Sequence, residues 1–274
     1  MIRILSKSTI NKFIVPFLSK AKRGFISKVP LWEIVNAILY KFKTGIQWRL
    51  LPIKSLINRR KLSYGSVYHH YKKWSKDGSW QYVFEQLLSK NKPLLDLSLA
   101  FLDATHTIAK RGGDQTGTCG KRRFKSSNTL WLTDRQGLVV AFCPPLSGKR
   151  HDAFNIGKRF KAMLKFFKTA HIPIEGLWLN ADKAFECEAL RQVCYQQHIE
   201  LNAPHNRRRA LGLEDDLPYF DELMYEERYT IERTNAWMDN YRSFGLRFDK
   251  TICSWNAWHY IFCITQWINR ILKV

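Results

Sequence analysis

Acidic residues are scarce in this chain, and paired cysteines are missing. Its 274 residues include 23 Asp and Glu against 45 Lys and Arg, which gives a formal net charge of +22. The six cysteines show no CxxC pair and no regular spacing, which argues against a disulfide scaffold or a zinc site and suits reduced thiols in the cytosol. The charge favours a polyanionic partner. DNA, RNA and anionic membrane surfaces all fit that description.

Signal peptides, membrane spans, phosphate loops and internal repeats are also lacking. The apolar run at residues 2–5 is short and interrupted by Arg3, so we expect no cleavable signal. Residues 252–272 are long enough to span a bilayer, but polar residues such as Asn256 and Arg270 favour a buried amphipathic helix. No Gly-Lys-Ser/Thr follows a glycine at the spacing of a nucleotide-binding loop. We therefore expect a cytoplasmic protein with no membrane segment.

Residues 1–95 have the apolar period of helices. Pro30 opens a helix that Gly45 ends, and Ser63 is placed to cap another that carries Lys72 and Lys73. A helix, a turn and a short basic helix are compatible with helix-turn-helix recognition of DNA. A helical bundle with a solvated basic face is the alternative. We predict an all-helical N-terminal DNA-binding domain over residues 1–95, with Lys72 and Lys73 as candidate phosphate contacts.

From residue 96 the pattern changes to that of a mixed α/β domain, predicted over residues 96–274. An apolar strand ends at Asp103, and a hairpin over residues 129–142 turns at Gly137. A helix capped by Asp152 follows. Strands and helices then alternate as far as Glu232. This order is that of a ribonuclease-H-like (RNase-H-like) mixed sheet with helices on its faces.

Three acids stand at informative places in that order. Asp103 and Asp182 each close an apolar strand, and Glu232 lies in a helix. The two strands are neighbours in an RNase-H-like sheet, so both carboxylates should emerge at one edge. Buried carboxylates need a cation. Oxygen ligands in a basic chain therefore predict a divalent-metal site that acts on a phosphate backbone.

The segment around Glu232 adds two candidate phosphate ligands. Tyr225, Arg228 and Glu232 are spaced by three and four residues, so they share one helical face. An arginine one turn before a metal-binding glutamate can grip the phosphate. The alternative is an ordinary surface helix with an Arg–Glu pair.

The inserted segment 110–125 is basic and rich in glycine, which predicts a mobile loop near the catalytic edge. Its candidate DNA contacts are Lys110, Arg111, Lys121, Arg122 and Arg123. Weaker candidates lie on either side of it. His106 could orient DNA or a water, or could simply pack, and His151 with Asp152 could be a metal pair or a helix cap.

Several segments together resemble one family. Gln47-Trp-Arg-Leu-Leu-Pro52 resembles its N-terminal domain, and Asp103-Ala-Thr105, Ala181-Asp-Lys-Ala-Phe185 and the run from Glu232 to Asp239 match three catalytic segments. Tyr225, Arg228 and Glu232 follow a Tyr-x2-Arg-x3-Glu-x6-Lys signature. The chain resembles the DDE transposases of the IS4 and IS5 insertion-sequence groups, IS5 most of all, over nearly its whole length.

This resemblance implies an RNase-H-like transposase with Asp103, Asp182 and Glu232 as its catalytic metal-binding triad. The implied cofactor is a pair of Mg²⁺ ions, for which Mn²⁺ can substitute. The implied partners are double-stranded DNA, namely the terminal inverted repeats and the target, and a second copy of the chain in a synaptic homodimer. The expected location is the bacterial cytoplasm, associated with the nucleoid.

One position departs from the signature, and two other functions stay open. Asp239 stands where the family has its lysine, and Arg242 is the nearest basic replacement, at an angle about 80° from Glu232 around the helix. The alternatives are a related RNase-H-like nuclease and an inactive or domesticated DNA-binding protein with the same triad.

Overall fold

The structure is a computed structural model that describes residues 2–20, 27, 29–58, 62–118, 123–205 and 218–272. Its helices are α1 (Lys7–Phe13), α2 (Leu31–Thr44), α3 (Ile53–Leu56), α4 (Tyr64–Lys76), α5 (Ser79–Lys90), α6 (Ile156–Thr169), α7 (Glu188–Gln196), α8 (Glu222–Glu226), α9 (Tyr229–Asp239), α10 (Arg242–Gly245) and α11 (Ile252–Ile271). Its strands are β1 (Leu99–Ala109), β2 (Gly117–Thr118), β3 (Lys125–Asp134), β4 (Val139–Phe142), β5 (Leu146–Ser147), β6 (Trp178–Ala181), β7 (Glu200–Asn202) and β8 (Leu246–Arg247). Short 3₁₀ turns lie at Val15–Phe17, Trp48–Leu50 and Lys92–Leu94.

The chain divides into two compact units. The first contains Met1–Lys90, Ala109–Asp114 and Met238–Val274, and the second contains Asn91–Ile108 and Gln115–Trp237. The unit that holds the predicted N-terminal domain thus also includes two later segments of the chain. The assignment of residues 1–95 as a separate DNA-binding domain stays a prediction.

The first unit is built from helices around an aromatic core. Gly45 ends α2 in a left-handed conformation with φ of 69°, and the Ser63 side chain caps α4 by accepting the Ser66 amide, both as the sequence predicts. The long helix α11 is buried over most of its length and packs on α4 and α5. No described helix is both long enough and apolar enough to cross a membrane.

A buried arginine, Arg247, is an unexpected part of this first unit. Its side chain is 0% exposed, and it donates hydrogen bonds to the carbonyls of Asp114 (2.8 Å) and Asp249 (2.9 Å). The Asp249 carboxylate accepts a hydrogen bond from the Trp258 indole at 3.0 Å. Burial raises the pKa of Asp249, and the charges of Lys41 and Arg247 oppose that rise. Arg247 and Asp249 therefore have a structural role in the first unit.

A buried histidine in α11 predicts acid sensitivity. Burial lowers the pKa of His259 to about 3, against the opposing effect of a hydrogen bond to the Trp255 carbonyl. An unfolded histidine titrates near pH 6.5, so the folded state excludes a proton that the unfolded state binds. The contribution of neutral His259 to stability is therefore fully present above about pH 6.5 and is lost as the pH falls towards about 3. We expect the free energy of unfolding to be roughly 2–3 kcal/mol lower at pH 4.5 than at pH 7.5.

Denaturant unfolding across that pH range measures this effect. His259→Leu removes the titrating group. Between the same two pH values, the free energy of unfolding of the variant should therefore fall by roughly 2–3 kcal/mol less than that of the parent. An identical pH slope in the variant and the parent would contradict the assignment. The absolute stability of the variant does not enter the comparison.

The second unit holds a mixed sheet with the predicted topology. The strand order on its main path is β2-β3-β1-β6-β7, and β4 also pairs with β3. β3 is antiparallel to β1 and to β4, whereas β6 is parallel to β1 and β7 is parallel to β6. An antiparallel meander followed by two parallel strands, with helices between them, is the RNase-H-like order. The fold class predicted from the sequence is confirmed.

The first strand is longer than predicted, because β1 does not end at Asp103. It continues to Ala109, and its polar half pairs with the polar half of β3, so that Thr105 faces Thr129 and His106 faces Asn128 in the register. Backbone pairing extends the strand where apolar alternation has stopped. Asp103 is therefore an interior residue of β1.

Candidate active site

Two of the three predicted acids lie side by side. In the parallel register of β1 and β6, Leu102 faces Ala181, so the next residues are Asp103 and Asp182. Adjacent strands are about 4.8 Å apart. The juxtaposition predicted from the strand order is thus present in the second unit.

Asp103 is the more buried member of this carboxylate pair, since its side chain is 22% exposed. Its Oδ2 accepts a hydrogen bond of 3.1 Å from the Asn235 side chain. Burial raises the pKa of Asp103, and the nearby charge of Asp182 adds to that rise. The charge of Arg228 and the hydrogen bond from Asn235 act in the opposite direction. Arg228 and Asn235 thus both favour the ionised form of this carboxylate against the effect of burial.

Asp182 follows β6 directly and is 43% exposed. Its Oδ1 accepts a 3.0 Å hydrogen bond from the Ala184 amide, which fixes the side chain over the turn after the strand. Its Oδ2 lies 3.8 Å from Nη1 of Arg228. One oxygen thus holds the local turn while the other faces the site.

Arg228 lies between the two aspartates. Its Nη2 is 3.8 Å from Oδ1 of Asp103, the same separation that joins its Nη1 to Asp182, and its side chain is 14% exposed. The guanidinium carbon is 5.4 Å from the centre of the Tyr225 ring, a cation–π distance. Burial raises the pKa of Tyr225, and the charge of Arg228 opposes it. Tyr225, Arg228 and the two aspartates therefore form one cluster.

Two buried amides tie the segment that precedes Arg228 to the sheet. Asn180 of β6 donates to the Met224 carbonyl at 2.6 Å and accepts a 2.8 Å hydrogen bond from Asn202 of β7. Asn202 exchanges two hydrogen bonds with the backbone of Asp221, both of 2.9 Å. Buried polar groups satisfied in this way specify one arrangement. They fix α8, and with it Tyr225, against the parallel strands.

The helix α9 is anchored on the same sheet. Ile231 is buried against Leu99 and Phe101 of β1. Thr234 donates a 2.8 Å hydrogen bond to the Gly137 carbonyl in the β3–β4 turn. Gly137 has φ of 83°, and a Cβ there would lie 2.8 Å from the Thr234 hydroxyl, so glycine is required on two counts.

Glu232 lies on the face of α9 that faces the carboxylate pair. Arg228 and Asn235 both contact Asp103, and Glu232 lies between them at spacings of four and three residues. Arg228 stands in the turn just before α9, and Tyr225 lies in α8, so the single helix predicted through Tyr225, Arg228 and Glu232 is interrupted. Positions 228, 232 and 235 lie within about 60° around the α9 axis. The Glu232 side chain itself is exposed, and it makes no ion pair with any described residue. The helix places it beside the pair without a direct contact.

The chemistry of these side chains fits a divalent ion, although the third ligand is not in place. One carboxylate oxygen of each aspartate already faces the Arg228 guanidinium. Carboxylate oxygens are hard ligands of the type that Mg²⁺ prefers. Within the described ranges, no group of three or more His, Cys, Asp or Glu side chains is close enough to hold a metal. The assignment of Glu232 as a third ligand stays a prediction.

The other predicted DNA contacts are dispersed. Lys110, Arg111 and Arg242 belong to the first unit and are exposed, and Arg123 is exposed in the second. Lys73 donates to the Ser19 carbonyl at 3.1 Å, and Lys72 lies 3.5 Å from the Ser254 hydroxyl, so both already have partners within the first unit. Lys121 and Arg122 lie outside the described residues.

The prediction that Asp152 caps a helix is wrong. Helix α6 begins at Ile156 after Asn155, and the Asp152 carboxylate instead accepts hydrogen bonds from His106 (3.1 Å) and Asn128 (2.5 Å). Burial alone would raise the pKa of Asp152, but its hydrogen bond to His106 and that residue's charge leave the pKa lowered. His106 and Asp103 are three residues apart on β1 and point to opposite faces of the sheet. This second cluster is therefore separate from the carboxylate pair.

The sequence analysis missed Asn235, which contacts Asp103 directly and also accepts a 3.1 Å hydrogen bond from Thr105. The helical period contained the signal, because Asn235 comes seven residues after Arg228. The buried amides Asn180 and Asn202 were missed as well. Nothing in their local sequence distinguishes them from surface residues.

The second unit thus combines an RNase-H-like sheet with a pair of carboxylates on neighbouring strands. A comparison with protein families then matches residues 11–84 to the family described as "Putative transposase of IS4/5 family (DUF4096)". The resemblance inferred from the sequence is confirmed over that stretch of the chain. The matched residues precede the carboxylate pair.

No curated protein matches the sequence. Similar solved structures include a Mos1 transposase paired-end complex with the left transposon end, with 13% identity, a TM-score of 0.30, and coverage of 90% of this chain and 81% of that one. The catalytic domain of Mos1 mariner transposase is 11% identical with a TM-score of 0.30, over 76% of this chain and 93% of that one. At these TM-scores nothing about this chain is concluded from them.

Proposed function

We propose that this chain is an IS5-type DNA transposase that cleaves DNA at the terminal inverted repeats of an insertion sequence and joins the ends to a target. The observation that carries the proposal is the carboxylate pair, Asp103 and Asp182, brought to neighbouring strands of an RNase-H-like sheet around Arg228. The family match in the N-terminal helices and the charge of +22 support a DNA substrate. The transposase would act in the bacterial cytoplasm as a synaptic homodimer.

Each residue of the cluster has a proposed task. Asp103, Asp182 and Glu232 would hold two Mg²⁺ ions, or Mn²⁺ in their place. Such ions supply Lewis acidity at a phosphodiester and lower the pKa of a bound water. Arg228 would bind a non-bridging phosphate oxygen through its two terminal nitrogens. Tyr225 would orient the guanidinium through its ring, and Asn235 would hold the Asp103 carboxylate in one rotamer.

The basic residues outside the cluster would bind the phosphate backbone. This proposed set contains Lys72, Lys73, Lys110, Arg111, Lys121, Arg122, Arg123 and Arg242. Such contacts supply affinity that falls steeply with salt concentration and carries little sequence information. Asp239 would weaken the backbone contact that a lysine makes at its position in the family signature.

The test is a reaction on a DNA duplex that carries the inverted repeats flanking this reading frame. We expect strand cleavage at the repeat ends that requires Mg²⁺ or Mn²⁺, followed by joining of the new 3′-hydroxyl to target DNA. Pre-cut ends separate the alternatives: cleavage without joining would identify a nuclease. Binding with neither reaction would identify a DNA-binding protein.

A further inference from the structure

The position of Arg228 raises a question of charge balance. The guanidinium contributes one positive charge to two carboxylates, and its two terminal nitrogens approach different aspartates at equal distances of 3.8 Å. It therefore occupies the space between Asp103 and Asp182 where a bridging cation would have to bind. A guanidinium and a divalent ion in that space would repel each other strongly.

The same arginine makes no hydrogen bond to either aspartate. A separation of 3.8 Å exceeds hydrogen-bonding range, and the buried Nη1 has no hydrogen-bond partner. An unpaired buried donor is unfavourable, so this arrangement is easily exchanged for one that satisfies the donor. A phosphate oxygen is such a partner, because it accepts short, charge-assisted hydrogen bonds from a guanidinium.

We propose that Arg228 is an internal counter-ion that occupies the place of the metal until a DNA phosphate draws it away. The inference rests on the proposed function, because it requires that Asp103 and Asp182 bind a divalent metal and that the substrate carries phosphate. Without DNA, Arg228 neutralises the repulsion between the two aspartates and competes with the metal. With DNA, the guanidinium turns to the phosphate and both carboxylates become free. Metal binding and DNA binding therefore strengthen each other, as linkage requires.

The test measures the binding of Mn²⁺ to the full chain by calorimetry, without DNA and without catalysis. Arg228→Gln removes the competing charge, and we expect it to bind Mn²⁺ at least about fivefold more tightly than the parent. Arg228→Lys keeps the charge and serves as the matched control, with an affinity close to that of the parent. Circular dichroism and thermal unfolding establish that the variants are folded.

A second arm uses the parent protein and therefore does not depend on Arg228→Gln folding. Adding a duplex DNA should tighten Mn²⁺ binding by the parent about fivefold or more. Mn²⁺ held by the DNA itself is subtracted with the variant Asp103→Asn/Asp182→Asn. The same DNA should tighten Mn²⁺ binding by Arg228→Gln less than it tightens binding by the parent, because only the parent has a guanidinium for the phosphate to draw away.

The outcomes separate this inference from the proposed function. Mn²⁺ binding that depends on Asp103 and Asp182, but that neither Arg228→Gln nor DNA strengthens, overturns the counter-ion role and leaves the metal site intact. Failure of the parent and of Arg228→Gln to bind Mn²⁺, with or without DNA, overturns both ideas. Tighter binding in both arms supports the counter-ion role.

Discussion

Asp103→Asn and Asp182→Asn should each lower the rate of strand cleavage by about a thousandfold or more, because in the proposed function both carboxylates hold the metal ions that act on one phosphodiester. Each change keeps the size of the side chain and removes its charge. Glu232→Gln should have an effect of similar size if the glutamate turns towards the pair during the reaction.

The same variants should bind the terminal repeats within about threefold of the parent, because the proposed backbone contacts lie on other residues. A gel-shift titration and a cleavage time course on one duplex measure the two properties together. Glu222→Gln, on the exposed face of α8, is the control and should cleave normally. Cleavage that persists in all three carboxylate variants would rule out the proposed triad.

Arg247→Leu should destabilise the protein by about 3–5 kcal/mol, the cost of removing one partner from a buried charge network. The substitution leaves the carbonyls of Asp114 and Asp249 without their donor. It also removes a positive charge from near the Asp249 carboxylate, whose ionised form burial already disfavours. For a chain of this size the midpoint of thermal unfolding should fall by about 10 °C.

Thermal and denaturant unfolding of Arg247→Leu measure this loss directly. Arg49→Leu is the matched control, because Arg49 is exposed and, among the described residues, its side chain hydrogen-bonds that of Gln47 alone, so the stability of the variant should stay within about 0.5 kcal/mol of the parent. A loss below about 1 kcal/mol at Arg247 would show that leucine replaces the network by packing alone.

The features that could be predicted from the sequence depend on local signals. The period of α2, the glycine after it and the serine before α4 each act within one or two turns of helix, and the order of strands and helices limits the topology to few choices. The proximity of Asp103 to Asp182 followed from that topology. The only residue pattern needed was an apolar run that leads to an aspartate, once at Asp103 and once at Asp182.

The features that could not be predicted depend on partners distant in the chain. Beyond Asp103 the sequence of β1 is polar, and only pairing with the polar half of β3 makes it a strand. Asp152 precedes a helix, yet its carboxylate bonds to His106 and Asn128. Arginine is almost never buried without a partner. The burial of Arg247 could not be predicted until the carbonyls of Asp114 and Asp249 were in place.

The extension of β1 to Ala109 gives the two aspartates different freedom. The residues before and after Asp103 both pair with β3, so the backbone that carries the Asp103 carboxylate is fixed. Asp182 stands one residue past the end of β6, where a turn carries it. A reaction in which a water and then a sugar hydroxyl attack successive phosphates requires the ligand shell to adjust between steps. In the proposed reaction that adjustment would fall to Asp182, and Asp103 would be the stationary ligand in both attacks.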